Sequence, residues 1–239
     1  MKFKYKTYLR NHVVLPGSEK PLHTFLNTIL VDSSGKEKKH KLEKAFNPNS
    51  EDALTWSCFD VLRHQPKEKL VVALNEIIED AFEGKATFSF ENAKNIKIYI
   101  GKNYYASTVD ESTELDASIE TDDKLIFIEA KLYSKISLPD NDKPYDQIIK
   151  KLRVGLEAAK REGKQFYFIF LDIAPIDYTL KFGEKSINAE YFKQYKENSH
   201  SLADKLIETS YQSLEEVSQN MGWLTWASLF KTVLRTVIK

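Results

Sequence analysis

A stretch of alternating apolar and polar side chains is the feature that most constrains what this chain can fold into. The stretch reads TELDASIETDDKLIFIEAKLYS and covers residues 113–134. A tight turn centred between Asp122 and Asp123 pairs residues whose numbers sum to 245. Because side chains alternate between the two faces of a strand, one face of this predicted hairpin is apolar and lies on the core. That face carries Leu115, Ala117, Ile119, Ile126, Ile128 and Ala130.

The opposite face of the predicted hairpin concentrates charge. The same register sets Asp116 across from Glu129 and Glu114 across from Lys131. Like charges that face each other across a sheet are destabilising, so the pairing of two acids at this position needs a compensating interaction. A divalent cation supplies one, since Mg²⁺ prefers carboxylate and carbonyl oxygens and binds phosphate at the same time. On this hypothesis Lys131 holds the attacking water or steadies charge on the phosphate.

The spacing Glu-x-Lys carries little information by itself. It recurs at Glu37-Lys39, Glu83-Lys85 and Glu162-Lys164, all in charged or turn-like surroundings, and only Glu129 ends an apolar strand. The alternative is a surface hairpin in which Glu114 pairs with Lys131 and the acids are solvated. Such exposed ion pairs contribute about 0–1 kcal/mol each.

Elsewhere the apolar spacing predicts helices and strands in a definite order. Asn47 or Asn49 is the expected cap of a first helix that Pro66 stops, and a second helix runs from 67 to about 82. Three strand-like runs follow, then a helix ended by Gly163, a buried strand FYFIFLDI and a mostly helical end. The runs are 86–100, 113–121 and 124–133, the later helix is 145–161, and the helical end is 200–239.

This order predicts a single α/β domain with a mixed central β-sheet flanked by helices. Its core spans residues 46–175. Residues 1–45 form an extended N-terminal addition with a β-hairpin whose turn is at 32–35. Residues 176–239 form a mostly helical C-terminal addition. The composition, 42% hydrophobic and 29% charged over 239 residues, is that of a globular protein.

Composition also bounds the compartment. The lone Cys58 cannot form an intrachain disulfide, and the sequence has neither a signal peptide nor a stretch of about 18 apolar residues. These features favour a cytoplasmic protein with no membrane contact.

Charge is balanced over the whole chain, with 35 basic and 35 acidic side chains, so contact with nucleic acid needs a local patch. The favoured patch is Lys150, Lys151 and Arg153 on the helix that follows the hairpin. The N-terminal lysines 36, 38, 39 and 41 and a C-terminal stripe of Lys231, Arg235 and Lys239 are more simply interpreted as solvated faces.

The sequence has Asp116, then twelve intervening residues, then Glu129-Ala130-Lys131 at the end of an apolar strand. This pattern resembles the signature of the PD-(D/E)XK nuclease superfamily. The resemblance covers roughly half of the chain, from about 50 to 172. It implies a restriction endonuclease-like three-layer core, ordered helix, three strands, helix, strand. One departure is that Leu115, rather than proline, precedes Asp116.

The resemblance also implies a chemistry. Asp116, Glu129 and the carbonyl of Ala130 are expected to bind Mg²⁺, for which Mn²⁺ can substitute, and Lys131 to act on the nucleophilic water. The expected activity is metal-dependent hydrolysis of phosphodiester bonds in DNA. Many members cut two strands as homodimers, so a homodimer is among the expected assemblies.

Two helices are expected to supply supporting residues. Glu51 matches the acid that members often carry on the first core helix, and Gln147 matches a glutamine on the helix after the motif. A simpler interpretation exists for Glu51, because an acid in the first helical turn is favoured by the helix dipole.

Two other hypotheses stay open. The first is a catalytically inactive nuclease-fold module that binds nucleic acid or a protein partner. The second is an interaction protein of another α/β class, such as a partner or inhibitor in a defence system, in which the hairpin acids are surface charge.

Overall fold

The fold is built around one central sheet with helices on both faces. A computed structural model describes residues 4–31, 37–141, 144–178, 186–206 and 212–238. The strands are β1 Leu30–Val31, β2 Glu37–Lys38, β3 Lys97–Ile100, β4 Asn103–Ala106, β5 Glu111–Glu114, β6 Ala117–Glu120, β7 Lys124–Ala130, β8 Gln165–Asp172 and β9 Met221–Thr225. The α-helices are α1 Glu19–Leu26, α2 His40–Lys44, α3 Glu51–Arg63, α4 Lys67–Ala81, α5 Gln147–Glu162, α6 Ile187–Glu197, α7 Ala203–Leu206, α8 Leu214–Gln219 and α9 Trp226–Ile238.

The central sheet is mixed, as predicted. Its strand order is β3-β6-β7-β8-β9, with β3, β6 and β7 antiparallel and β7, β8 and β9 parallel. Apolar residues of α3, α4 and α9 pack on one face, and those of α5 and α6 pack on the other. A sheet covered on both faces buries whole strands, which explains why β7 and β8 are almost continuously apolar. The chain is therefore an α/β protein with helices on both sides of its sheet.

The predicted hairpin register is confirmed. Ala117 pairs with Ile128 and Ile119 with Ile126, so the partner numbers sum to 245. These four side chains and Ala130 lie in the core beneath α3 and α4. Leu115 does not share that face; it packs in the opposite core, against α5.

The predicted pairing of Glu114 with Lys131 is wrong. The β6–β7 ladder stops at Ala117, because the chain before Asp116 turns away to join a small second sheet. There Glu114 pairs with Asn103 of β4, and the backbone N–H of Leu115 donates to the carbonyl of Lys102. The extended hairpin therefore splits at its open end.

The sequence patterns do not predict the last strand. Residues 200–239 were predicted to be mostly helical, but β9 lies between α8 and α9 and completes the sheet beside β8. A side chain at Gly222 would bring its Cβ within 2.9 Å of the Phe82 ring and 3.0 Å of the Ala81 carbonyl. Only glycine therefore lets the end of α4 lie this close to β9. The strand predicted for 86–100 is also shorter and begins at Lys97.

The core helices agree closely with the sequence patterns, although one cap differs. Helices α4 and α5 fall on the predicted segments, and α5 ends at Gly163 as expected. Ser50, rather than Asn47 or Asn49, caps α3, since its side chain accepts a hydrogen bond from the N–H of Ala53. Pro66 follows the end of α3, as predicted.

The N-terminal addition, residues 1–45, is not mainly extended. The predicted hairpin is present as the short β1–β2 pair, whose turn at 32–35 lies outside the described residues. The described part of the addition contains α1 and α2, and Leu22, Phe25 and Leu26 form one apolar face of α1 that packs with Trp56 of α3. Within the described ranges, no helix combines the length and apolar character needed to span a bilayer.

Candidate active site

The candidate site lies at the carboxyl end of β7, where the first turns of two helices meet. Helix α3 comes from one face of the sheet and begins with Glu51; α5 comes from the other and begins with Gln147. Capping by Ser50 and by Asp146 fixes where each helix starts. Side chains from three separate parts of the chain are thereby brought to one place.

Glu129 is the centre of the site and is only 2% exposed. Its Oε1 accepts hydrogen bonds from Nζ of Lys131, at 2.7 Å, and from Nε2 of Gln147. Its Oε2 forms an ion pair of 2.9 Å with Nζ of Lys151. Burial alone would raise the pKa of Glu129, but Lys151 and Lys131 outweigh burial and lower it. Glu129 is therefore an ionised carboxylate held by two cations.

Asp116 immediately precedes β6 and is the second carboxylate of the site. Its Oδ2 accepts a hydrogen bond of 2.7 Å from the backbone N–H of Ala130, and the residue is partly exposed to solvent. Burial and the neighbouring Glu129 carboxylate together raise the pKa of Asp116 above its usual range. The crowding of two acids that the hairpin register predicted is thus present at this end of the sheet.

Lys131 bridges the acids that come from the sheet and from α3. Its Nζ lies 2.7 Å from Glu129 Oε1 and 3.9 Å from Glu51 Oε1. Burial would lower the pKa of Lys131, but Glu129, Asp116 and Glu51 raise it above the ordinary value. Lys131 is therefore a protonated hydrogen-bond donor. The Trp226 indole N–H donates to the Lys131 carbonyl at 3.1 Å and holds its backbone.

Glu51 ties the start of α3 to the segment that follows β7. Its Oε2 accepts hydrogen bonds from the N–H of Leu132, at 2.6 Å, and from the Ser134 hydroxyl, at 3.1 Å. Burial is the main cause that raises the pKa of Glu51. Its position beside Lys131 goes beyond what the helix dipole alone would require.

The oxygen donors of the site fit a hard divalent cation. The Asp116 and Glu129 carboxylates are close enough to perturb each other, and the Ala130 N–H bond shows that this peptide edge faces Asp116. Over the part of the chain that the structure describes, no group of three or more His, Cys, Asp or Glu side chains is arranged to hold a metal ion. Mg²⁺ does not require one, because it binds through one or two carboxylates and keeps several waters.

The predicted nucleic-acid patch on α5 is wrong in two of its three members. Lys151 and Arg153 are buried rather than exposed. Lys151 pairs with Glu129 and donates to the Glu114 carbonyl, while Arg153 pairs with Glu111 at 3.0 Å. Both lie on the inward side of α5, which packs against β4 and β5 as well as on the central sheet. Lys150 is exposed, and its contact with nucleic acid stays a prediction.

The other predicted basic patches are also partly neutralised. Lys231 pairs with Asp80 and Arg235 with Glu76, both on α4, while Lys239 lies outside the described residues. Lys41 is buried and pairs with Glu114, and Lys36 lies outside the described residues.

The structure thus brings together all five residues predicted to form the catalytic site: Glu51, Asp116, Glu129, Lys131 and Gln147. The role of Lys151 at Glu129 was missed. The signal was its position four residues after Gln147, which places both side chains on one side of α5. Comparison with protein-family models, curated proteins and solved structures returned no match. A functional assignment therefore depends on the site itself.

Proposed function

We propose that this protein is a Mg²⁺-dependent nuclease that hydrolyses phosphodiester bonds in DNA, built on a restriction endonuclease-like core. The observation that carries the proposal is the convergence of Glu51 and Gln147, from helices on opposite faces of the sheet, on Glu129 and Lys131 at the end of β7. A surface hairpin with solvated acids would require none of these contacts.

The order of elements supports the same proposal. After α3 and α4 the chain forms the central-sheet strands β3, β6 and β7, then α5, then β8, with β8 parallel to β7. This is the order of helix, three strands, helix and strand expected from the resemblance to PD-(D/E)XK nucleases. The small β4–β5 sheet is inserted between β3 and β6 and leaves that order intact.

Each site residue has a role that its surroundings favour. Asp116, Glu129 and the carbonyl of Ala130 would hold the metal ion. When bound, Mg²⁺ or Mn²⁺ supplies Lewis-acid polarisation of a phosphoryl oxygen and makes a bound water more acidic. Lys131 is protonated, so it orients the attacking water or stabilises negative charge on the phosphate rather than accepting a proton.

The supporting residues position this machinery. Gln147 donates to Glu129 and fixes the direction of its carboxylate. Glu51 attracts Lys131 from the other side and also binds the backbone after β7. Residues that orient ligands in this way commonly change metal affinity or activity by about 10–100-fold when they are substituted.

Cleavage of labelled duplex DNA in the presence of Mg²⁺ tests the proposal. Asp116→Ala and Lys131→Ala should abolish cleavage, a loss of at least about 10²–10³-fold, while far-ultraviolet circular dichroism shows an intact fold. Glu120→Gln, at the other end of β6, is the matched control and should cut like the wild type. Wild-type-like cutting by both site variants would overturn the assignment.

One observation favours a second candidate, a catalytically inactive module that binds nucleic acid or a protein partner. Oε1 of Glu129 accepts hydrogen bonds from Lys131 and Gln147, and Oε2 forms an ion pair with Lys151, so side chains of the chain itself compensate the charge of this carboxylate. In that case DNA binding persists, whereas neither Mg²⁺ nor Mn²⁺ binds or supports cleavage. Thermal unfolding with and without Mn²⁺ separates the two functions, because only an ion that binds the folded state raises the unfolding temperature.

A further inference from the structure

Positive charge is concentrated in one part of a chain that is neutral overall. Residues 1–46, called here the N-terminal basic unit, contain ten Lys or Arg and four Asp or Glu side chains, a net charge of +6. The whole chain has 35 of each, so the remaining residues have 25 basic and 31 acidic side chains, a net charge of −6. Such asymmetry within one chain is typical of proteins that bind a polyanion.

Five cations of this unit are available for binding. The side chains of Lys4, Lys6, Arg10, Lys20 and Lys44 are exposed. None of them forms an ion pair or hydrogen bond with another residue within the described ranges. Elsewhere on the surface, by contrast, Lys231 and Arg235 are each paired with an acid of α4. The unit therefore presents cations that no acid among the described residues neutralises.

The unit is attached directly to the start of α3. The N–H of Tyr5 donates to the Phe46 carbonyl at 2.9 Å, and Asn11 Nδ2 donates to the Ala45 carbonyl at 3.0 Å and the Asn47 carbonyl at 2.6 Å. Four residues after Asn47 the chain reaches Glu51, which contacts Lys131. The basic unit and the candidate site are therefore neighbours.

Lys41 makes a second attachment, next to the candidate site itself. It is buried, pairs with Glu114 two residues before Asp116, and has its Nζ 4.1 Å from the centre of the Phe25 ring. Gly101 makes room for this contact. A Cβ there would lie 2.8 Å from two carbons of the Phe25 ring and 3.2 Å from Lys41 Nζ, and the glycine φ is +68°.

We infer that the N-terminal basic unit is the surface that holds the phosphate backbone of DNA against the candidate site. Its exposed cations contact successive phosphates, and Lys41 is a positioning residue that fixes the unit beside Asp116. Nucleic acid fits better than an anionic membrane, because the unit borders a site whose oxygen and lysine donors suit a phosphodiester. The inference deepens the proposed function and rests on it for the identity of the substrate.

The salt dependence of DNA binding tests this inference separately from cleavage. Binding of the full chain to a fluorescent 20-base-pair duplex is measured by anisotropy in EDTA over about 50–200 mM NaCl. A variant with five substitutions, called the N-terminal variant, replaces the exposed cations with glutamine: Lys4→Gln, Lys6→Gln, Arg10→Gln, Lys20→Gln and Lys44→Gln. The control removes the same charge from exposed lysines outside the unit: Lys69→Gln, Lys85→Gln, Lys94→Gln, Lys97→Gln and Lys160→Gln.

Each lost phosphate contact should reduce the slope of log K against log salt by about 0.9. In the N-terminal variant the magnitude of this slope is expected to decrease by about 2–4, and the affinity at low salt to decrease more than tenfold. In the control variant the magnitude of the slope should decrease by less than about 1. Equal losses in the two variants, or no DNA binding by the wild type, would overturn the inference. The inference would also be overturned if the N-terminal variant lost binding to phosphatidylserine vesicles while its binding to DNA stayed unchanged.

The two proposals fail in different ways. If the variants separate as expected but no divalent cation supports cleavage, the DNA-binding surface stands and the nuclease function fails. If the wild type cuts DNA while both charge variants bind with the same slope, the nuclease function stands and the surface is wrong.

Discussion

Two clusters of buried charge lie at the two ends of β6, yet they are built differently. Glu120 ends β6 and Asp116 immediately precedes it, four residues or about 13 Å away. Glu120 accepts hydrogen bonds from Lys102 and, at 2.7 Å, from the Tyr104 hydroxyl, and Lys164 lies 3.6 Å from its other oxygen. Burial would raise the pKa of Glu120, but these donors lower it.

At the other end, acids outnumber their partners. Asp116, Glu129 and Glu51 face Lys131 and Lys151, and the pKa of Asp116 is raised by burial and by Glu129. A carboxylate that its donors satisfy stabilises the fold, whereas acids pressed together cost free energy and are typical of functional sites. The difference indicates that burial of charge alone does not distinguish a candidate site from a structural cluster. The excess of acids over cations is what distinguishes the Asp116 end.

The largest expected effect comes from the lysine that neutralises Glu129. Lys151→Met should destabilise the protein by about 3–5 kcal/mol, because it leaves a buried carboxylate with one cation fewer. Lys102→Met removes a cation that is 34% exposed and should cost about 1 kcal/mol. Urea unfolding of both variants gives the two free energies. Equal costs would show that the two clusters are energetically alike.

Metal binding gives the next largest difference. At a Mn²⁺ concentration 100 times the dissociation constant, the wild type should gain about 2.7 kcal/mol of stability, since the ion binds only the folded state. Asp116→Asn removes a proposed ligand and should lose this gain, while Glu120→Gln should keep it. Thermal unfolding with and without Mn²⁺ measures the shift. If the wild type shows none, the inactive-module hypothesis is favoured.

Removing one acid from each cluster should change metal-free stability in opposite directions. Asp116→Asn relieves repulsion from Glu129 and should stabilise the protein by about 1 kcal/mol, as active-site substitutions often do. Glu120→Gln weakens charge-assisted hydrogen bonds and should destabilise it by about 1–2 kcal/mol. Chemical unfolding in EDTA compares them. Destabilisation by both variants would contradict the idea that the Asp116 end stores unfavourable electrostatic energy.

The comparison also separates what the sequence can predict from what it cannot. The register of β6 and β7 follows from two features of the sequence: apolar alternation puts Ile119 and Ile126 on the same core face, and the tight turn at Asp122 and Asp123 sets them directly opposite each other. The closeness of Asp116 and Glu129 is a consequence of that register. The positions of Glu51 and Gln147 beside Lys131 and Glu129 are predicted only from the resemblance to PD-(D/E)XK nucleases, since no local pattern links residues so far apart in sequence.

Other features depend on tertiary packing that a single sequence does not display. The five-residue strand β9 is too short for its apolar run to be distinguished from part of a buried helix. Lys151 and Arg153 looked like an exposed basic patch, because the charged positions of α5 do not reveal that β4 and β5 cover that side. The separation of Glu114 from Lys131 likewise depends on pairing with β4.

The smallest expected effect is a pH dependence at the Glu120 end. The folded-state pKa of Glu120 is below the ordinary value of 4.5, so its contribution to stability is complete above pH 4.5 and is lost as pH falls through the folded pKa. The stability difference between the wild type and Glu120→Gln should therefore shrink by less than about 1 kcal/mol between pH 5 and pH 3. Urea unfolding at a series of pH values gives this difference. A difference that grows on acidification would mean that Glu120 is destabilised by its surroundings, and the contrast with Asp116 would disappear.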